Sequence, residues 1–317
     1  MTHANESICP EVSVIIPTYN RVKLLDRAIK SVLSQTYKDF EIIIVDDCSK
    51  KPAEIQQLIG SYQDKRINYI RHESNKGGSA ARNTGIRAAR GTYVAFLDDD
   101  DEWVSNKLEM QMQIYKQSKD KRLGVVYSGI TFVNSDKSSS LVIKPQYRGD
   151  VQKAVLRACI LGSATPIIRR DLFATAGYFD ETLPSCQDWD MWIRLSQHCT
   201  FDFTSDSLAI AYVHGNQISA GIKNRISARM ILLGSYRQTL LKYPEILAAH
   251  LERLGLLLML AGRRRESIGY FYREILVDKL RFRGYVHLIL SVVCPNVHIA
   301  IIKRFSTFKL GGIQLYY

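Results

Sequence analysis

The sequence predicts an α/β domain built on a doubly wound, mostly parallel sheet and followed by a helical C-terminal region. Three observations lead there. Residues 12–16 (VSVII) and 41–45 (EIIIV) are β-branched runs with little polar alternation, the pattern of strands covered on both faces. Between them Val22, Leu25, Ala28, Ile29, Val32 and Leu33 recur at helical spacing over 21–35, so a helix packs back onto the sheet. From about Lys223 onward the apolar residues keep helical spacing almost without a break.

In chain order, Pro17 ends the first strand and the second closes on Asp46-Asp47. Residues 67–70 read as a third strand, 78–89 as a helix, and 92–97 (TYVAFL) as a fourth strand ending in four consecutive aspartates, Asp98 to Asp101. Strands alternating with helices are βαβ units. Polar residues gather just past the strands' carboxyl ends, where open α/β sheets bind ligands. After Trp103 the pattern changes to a helix over 107–117, a strand over 123–133, a polar turn over 134–140 and a mixed segment to about 213. That segment holds strands at 164–168 and 208–213 and a helix at 189–195. In the last third, leucine-rich helices at 231–241 and 246–260 flank Tyr243-Pro244, and Gly262 with Arg263-Arg264-Arg265 precedes a further helix. The expected units are residues 1–220, with 11–101 and 102–220 as its two halves, and residues 221–317.

A composition of 46% hydrophobic and 23% charged residues over 317 positions fits a globular chain and excludes disordered, fibrous and polytopic membrane classes. Residues 221–317 carry 16 Lys/Arg against 5 Asp/Glu, so nearly all of the net charge of +12 lies there. The resulting pI near 9.4 raises a nucleic-acid-binding reading, which predicts a strongly salt-dependent affinity. No recognised nucleic-acid motif accompanies it and the aspartate run opposes it, so nucleic acid is not an expected partner. The six cysteines, Cys9, Cys48, Cys159, Cys186, Cys199 and Cys294, show no CxxC and no zinc spacing, and read as buried free thiols of a reducing compartment. Residues 1–11 lack the basic-then-apolar order of a signal peptide, which points to the cytoplasm. The apolar stretch 285–302 is interrupted by His287, Pro295, Asn296 and His298 and is marginal in length for spanning a bilayer, so an interfacial or buried helix pair is expected.

Four candidate elements carry chemistry. Asp98 to Asp101 either form a solvated acidic turn or bind a cation that relieves their repulsion; hard carboxylate oxygens suit Mg2+ or Mn2+ bound together with a diphosphate. Asp46-Asp47 can accept hydrogen bonds from a ribose or a base, or cap the following turn. Asn75-Lys76-Gly77-Gly78-Ser79 opens the helix bearing Arg82 and Asn83, a phosphate-friendly arrangement. Neither GxGxxG nor GxxxxGK[ST] occurs, which argues against dehydrogenase and P-loop chemistry.

Together these pieces resemble the inverting family-2 glycosyltransferases of the Rossmann-like GT-A fold. The matching residues are Val12 to Pro17 with Thr18-Tyr19-Asn20-Arg21, Ser34-Gln35-Thr36 before Glu41 to Asp47, Asn75-x-Gly77 with Ala81-Arg82-Asn83-x-Gly85, and Gly91-x-Tyr93 to Asp101. The resemblance covers about 11–215. It implies that 11–101 binds a nucleotide-sugar donor and 102–220 the acceptor. Pro17, Thr18, Tyr19 and Asn20 would flank the base, Asp47 would contact the uracil, and Arg82, Asp98 and Asp99 would complete the nucleotide site. Asp100 and Asp98 would hold the divalent metal, Mn2+ or Mg2+, with His214 as a third ligand or diphosphate contact and Lys223 and Arg225 as phosphate partners.

The family's catalytic base follows a Gly-x-Phe-Asp-Glu segment. Here Gly177-Tyr178-Phe179-Asp180-Glu181 precedes Gln187-Asp188-Trp189-Asp190, so Asp188 is the match, and Gln187 stands where the family usually has glutamate. Asp190 competes, but on a helix it points about 200° away from Asp188. Asp188 also has the residue type of a helix N-cap. Trp189 and Trp192 read as core. The reading is therefore a transferase moving a sugar from a nucleoside diphosphate, with UDP the expected nucleotide, to a hydroxyl of a glycan or lipid-linked acceptor of surface polysaccharide. A polyprenyl-phosphate acceptor is the alternative within the fold. The basic, aromatic-rich tail 223–317, with Arg263 to Arg265 and Arg281-Phe282-Arg283 beside Tyr270, Phe271, Tyr272 and Tyr285, suits the anionic inner face of the cytoplasmic membrane; a homo-oligomer interface is the other reading.

Overall fold

The computed structural model describes residues 9–134, 139–213, 221–306, 309–310 and 313–314. The first half runs β1 (Val12–Thr18), α1 (Val22–Leu33), β2 (Phe40–Asp46), α2 (Pro52–Tyr62), β3 (Ile67–Arg71), α3 (Gly78–Ala88), β4 (Tyr93–Phe96) and β5 (Glu102–Trp103). Next come α4 (Lys107–Gln117), β6 (Leu123–Asn134), β7 (Ser140–Ile143), α5 (Gln152–Arg157), β8 (Ile167–Arg169), α6 (Leu172–Ala176), α7 (Gln187–Leu195) and β9 (Thr200–Val213). The helical region follows with α8 (Ile222–Ser235), α9 (Arg237–Leu240), α10 (Pro244–Leu260), α11 (Arg264–Val277), α12 (Phe282–Val293) and α13 (Pro295–Ser306), then the short pair β10 (Lys309–Leu310) and β11 (Ile313–Gln314).

One sheet takes the order β3-β2-β1-β4-β8-β6-β9-β5, with β7 on β6. The first four strands in this order are parallel, β6 pairs with β9 in parallel, and β8, β5 and β7 run antiparallel to their neighbours. β1 and β2 are buried almost throughout, as their unbroken apolar runs require. Successive residues face opposite sides. Ile15, Ile43 and Phe96 enter a core with α3, α5, α6 and α7, whereas Val14, Ile16, Ile42 and Ile44 enter a second core with α1, α2 and α4. Glu41, buried inside β2, is matched by Ser13 Oγ at 2.7 Å and by the Arg90 guanidinium at 2.8–2.9 Å, which ties the start of β4 to the sheet.

The helical region packs on the first core. Leu232, Leu240 and Ile246 join the cluster containing Trp189 and Trp192, Tyr236 Oη donates to Asp190 Oδ1 at 2.6 Å, and His250 Nε2 lies 2.7 Å from the Leu156 carbonyl. Both tryptophans are core residues, as expected, and their indole N–H groups donate to the Val155 and Leu161 carbonyls.

Four local expectations shift. The strand expected at 164–168 starts only at Ile167, because Thr165 bonds back to the Gly162 carbonyl through both N–H and hydroxyl and Pro166 has no N–H for a ladder. The helix expected at 189 starts at Gln187, so the cap position falls on Cys186, in the left-handed region at φ 62°, and Asp188 lies in the first turn. The helix expected over 231–241 is interrupted at Tyr236. All six cysteines are free, but only Cys199 is buried; Cys9, Cys159 and Cys294 are exposed.

Two glycines set how closely layers approach. A Cβ on Gly85 of α3 would stand 2.4 Å from Ile15 Cγ2 in the centre of β1, whereas nothing lies within 4 Å of a Cβ on Gly269 in α11. Gly85→Ala should therefore destabilise the fold by about 1–3 kcal/mol through overpacking, less the gain of up to about 1 kcal/mol in helix propensity. Gly269→Ala should stabilise it by about 0.5–1 kcal/mol. Urea denaturation of both variants checks the pair, and equal effects would refute the packing argument.

Candidate active site

The parallel register of β1, β2 and β4 brings Thr18, Asp47 and the aspartate run to one edge of the sheet. The Leu97 amide donates to the Ile15 carbonyl and the Asp47 amide to the Thr18 carbonyl, which carries the alignment past the strand ends. Asn20 sits at φ 58°, a left-handed conformation that Asn tolerates. Its amide donates to Ser49 Oγ at 2.8 Å and its Oδ1 accepts from the Lys50 amide at 2.7 Å, so the loops after β1 and β2 brace one another. Pro17 is half-buried and Tyr19 exposes its ring beside them.

Asp46 and Asp47 have separate tasks. Asp46 is fully buried, accepting from the Ser49 amide and Tyr69 Oη. Asp47 Oδ1 accepts from the Lys76 amide at 2.8 Å and faces His72 Nδ1 at 2.7 Å, while Oδ2 accepts from the Gly77 amide at 2.7 Å. Its carboxylate thus holds the Asn75–Gly77 turn that opens α3, where Gly77 takes φ 90°.

Arginines surround the aspartate run. Arg82 from α3 pairs with Asp98, whose other oxygen accepts from Ser163 Oγ at 3.0 Å. Asp99 accepts from Thr18 Oγ1 at 2.8 Å and Arg21 at 3.1 Å, and Arg21 also reaches Asp100 at 2.9 Å. Arg27 of α1 donates to the Asp100 carbonyl and pairs with Glu102 at 2.9 Å. Burial pushes the Asp99 carboxyl up to about 6 despite Thr18 and Arg21, and burial together with Asp98 and Asp100 raises Asp101 well above the ordinary aspartate value. Arg21, Arg27, Ser163 and His72 were not assigned a role from the sequence. Arg21 adjoins the Thr18-Tyr19-Asn20 motif and was readable; Ser163 lies far along the chain in a segment without a motif.

Asn83, next to Arg82, joins the two halves. Its Nδ2 donates to the Phe179 carbonyl at 2.9 Å and to Glu181 Oε1 at 2.8 Å, and its Oδ1 accepts from the Phe179 amide at 2.8 Å. The 177–181 segment is thereby fixed to α3, and α7 follows it. Asp188, half-buried, accepts from the Trp189 amide at 2.8 Å, with Cys159 Sγ 4.0 Å from its other oxygen. Burial raises its carboxyl above the ordinary value, Arg82 pulls it down, and Asp98 pushes it up. Burial opposes the charge on Arg82, yet Asp98, Asp188 and Asp100 outweigh that and raise its pKa. Asp190 is committed elsewhere, to Arg194 at 2.7 Å and to Tyr236.

Among the described residues no three His, Cys, Asp or Glu side chains are grouped to hold a metal, and His214 lies outside the described residues. Lys223 and Arg225 stand in the first turn of α8. The arrangement offers a carboxylate-and-arginine site for a charged ligand at the sheet edge, and across Arg82 a second carboxylate able to take a proton.

Residues 13–174 match the family described as Glycosyl transferase family 2. An uncharacterized glycosyltransferase of Rickettsia prowazekii is 31% identical over 290 residues, covering 85% of this chain and 90% of that one. Another, from Rickettsia felis, is 34% identical over 234 residues, which are 72% of this chain and only 38% of the relative's length. The UDP-Glc:alpha-D-GlcNAc-diphosphoundecaprenol beta-1,3-glucosyltransferase WfgD of Escherichia coli is 30% identical over 184 residues, 58% of this chain and 69% of its own. The crystal structure of S. aureus TarS 1-349 in complex with UDP-GlcNAc shares the fold with a TM-score of 0.66 at 19% identity, covering 93% of this chain and 90% of that one. The mannosyltransferase PcManGT of Pyrobaculum calidifontis, in complex with GDP-Man and Mn2+, does so with a TM-score of 0.58 at 16% identity, over 93% and 88%. With half of the chain matched by the family and one relative aligned along most of its length, the protein belongs to glycosyl transferase family 2.

Proposed function

We propose that the chain transfers a sugar from a UDP-sugar to a hydroxyl of a glycan or lipid-linked acceptor in surface-polysaccharide synthesis, inverting the anomeric carbon in a single displacement. The observation that carries this reading is the position of Asp188: a half-buried carboxylate with a raised pKa, standing across Arg82 from the aspartate run. The WfgD relative, named for a UDP-Glc donor and a diphosphoundecaprenol-linked acceptor, supports the donor and acceptor classes.

The acceptor hydroxyl is a weak nucleophile until its proton is taken in the transition state. Asp188 takes it as the hydroxyl oxygen bonds to the anomeric carbon; the bond from that carbon to the diphosphate oxygen breaks, and UDP leaves with the electron pair. Burial raises the Asp188 carboxyl above the ordinary aspartate value and so makes it more basic, while the Trp189 amide and the charge of Arg82 pull it back down. On the donor side, Pro17 to Asn20 flank the base. A carboxylate has about four lone-pair sites. Lys76, Gly77 and His72 occupy three on Asp47, leaving one for the uracil N–H. Arg82 and Arg21, already on Asp98, Asp99 and Asp100, are placed to meet diphosphate oxygens.

Asp100 and Asp98 supply hard oxygens of the kind Mn2+ and Mg2+ take, one or two carboxylates at a time, with phosphate and water completing the shell. The donor set therefore fits such an ion. Bound there, it would offset the charge developing on the departing diphosphate.

Asp188→Asn should lower turnover by about two orders of magnitude or more while UDP affinity stays within a fewfold. Asp190→Asn should instead lower Tm by loosening Arg194 and Tyr236, with a smaller loss of turnover. Equal losses of turnover and UDP affinity in Asp188→Asn would make that residue structural, and near-normal turnover would favour an acceptor that is already anionic, such as a polyprenyl phosphate.

Because the base works only when deprotonated and its pKa is raised, kcat/KM should fall on acidification at a pH above the ordinary aspartate value of 3.8. A pH profile in which that limb persists unchanged in the residual activity of Asp188→Asn would assign it to another group.

UDP should raise Tm more with Mn2+ or Mg2+ than with EDTA, by linkage between binding and stability. Asp100→Ala should erase the difference, and an undiminished metal effect in that variant would remove Asp100 from the ion's ligands.

A further inference from the structure

We propose that the outward face of α12 and α13 is a docking surface for an anionic lipid bilayer. The orientation of α12 is the reverse of an ordinary surface helix. Its inward positions are Gly284, His287 and Ser291, and they meet Glu252, Glu274 and His298 together with the buried Phe271 ring. His287 Nε2 lies 3.3 Å from Glu252 Oε1 on α10, His287 Nδ1 lies 3.0 Å from His298 Nε2 on α13, and Ser291 Oγ lies 2.9 Å from His298 Nδ1. Arg281 joins Glu252 to the buried Glu274 of α11, and Arg283 reaches Glu252 at 3.1 Å.

With its polar side turned inward, the helix turns its apolar side to the outside. Phe282, Tyr285, Ile289, Val292 and Val293 fall within an arc of roughly 100° at about 100° per residue. Phe282 is 76% exposed, Val293 69% and Ile289 59%. Val297 and Ile301 extend the stripe onto α13, and Leu280, 95% exposed, stands at its near end. Contiguous exposed apolar surface of this kind marks an interaction site more often than a solvated one.

Charge identifies the occupant. No Asp or Glu follows Asp278, while Lys279, Arg281, Arg283, Lys303, Arg304 and Lys309 do. Of these, Lys279 and Arg283 are exposed at one end of the stripe and Lys303 and Arg304 at the other. A second copy of the chain would bring the same positive rims against these. An anionic leaflet complements them and accepts the apolar stripe between its headgroups. The helices lie on such a surface rather than cross it: each has 12 residues, about 18 Å against a hydrocarbon core of about 30 Å, and no helix among the described residues is long and apolar enough to span.

The surface differs from the one the sequence suggested. Phe271 is buried between helices, Arg264 donates to the Ser291 and Val292 carbonyls at the end of α12, Arg263 pairs with Glu266, and Arg281 is internal. The docking surface does not depend on the proposed reaction; only its purpose, holding the acceptor side of the protein near a lipid-linked substrate, rests on that reading.

Co-sedimentation of the full chain with vesicles of phosphatidylcholine alone, and of phosphatidylcholine mixed with phosphatidylglycerol, tests the proposal. The protein should bind the mixed vesicles, bind the neutral ones much less, and be released in large part by high salt. Phe282→Asp with Ile289→Asp should lower partitioning about tenfold or more, and Lys279→Glu should weaken binding at low salt, with Tm and UDP-dependent stabilisation unchanged in both. Absence of binding to the mixed vesicles, equal binding to both kinds, or wild-type partitioning of the double variant would overturn the proposal. So would a concentration-dependent dimer that dissociates in the double variant while the wild type ignores vesicles, which would assign the face to a second copy. Loss of UDP-dependent stabilisation in the wild type would count against the glycosyltransferase reading and leave the vesicle result standing.

Discussion

Four carboxylates in succession at the end of a buried strand repel one another, and the repulsion grows as water is excluded from the loop. Three arginines are placed to balance Asp98 to Asp101, and each enters from a helix or loop that has to be held in position to deliver it. Arg21 and Arg27 come from the start and middle of α1, Arg82 from the first turns of α3. α3 can lie against the sheet only because Gly85 has no Cβ to strike Ile15. The next residue after Arg82 is Asn83, whose amide fixes the 177–181 segment and so sets where α7 begins. The electrostatic requirement of one loop is thus met in part by the same helix that fixes the 177–181 segment.

Much of this frame was legible in the sequence, because the dominant signals were local. The apolar runs of β1 and β2, the helical spacing of α1, and the limits of α4 at Lys107 and Gln117 follow from periodicity alone. The aspartate run was readable as a site because carboxylates crowd at a strand's carboxyl end. Which groups balance it was not readable, since the Arg82 guanidinium and the Ser163 hydroxyl reach Asp98 only through the crossover of the fold. Asp46 and Asp47 show the same limit. Adjacent and identical in type, they face opposite ways, so one is a buried brace for Ser49 and Tyr69 and the other organises the turn before α3.

Periodicity also locates an apolar face without saying which way it points. In α1 the stripe of Leu25, Ala28, Ile29 and Val32 faces the core, the usual outcome because burial of apolar surface drives packing. In α12 an equally regular stripe faces out. The difference lies in what the neighbouring helices offer. α10 and α11 present Glu252 and Glu274 to the inside of the helical region, and a buried carboxylate must be met by cations and donors. Arg281, just before α12, and His287, on its polar side, supply them, while Ser291 on the same side pairs with His298.

The charges inside the region are themselves unequal. Burial and the neighbouring Glu252 push the Glu274 carboxyl up to about 7, with Arg281 pulling it down, whereas Glu252, engaged by His287, Arg281 and Arg283, is held down at about 2. A carboxylate whose folded-state pKa is raised contributes stability below its unfolded value of 4.5, and that contribution is lost as pH rises through about 7. Glu252 runs the other way: its stabilisation is present above 4.5 and is lost as pH falls toward about 2. A core built from apolar side chains would carry neither dependence. Placing charge inside and hydrocarbon outside therefore ties the stability of the region to pH from both sides, and a chain that keeps such an arrangement leaves an apolar surface with something to cover.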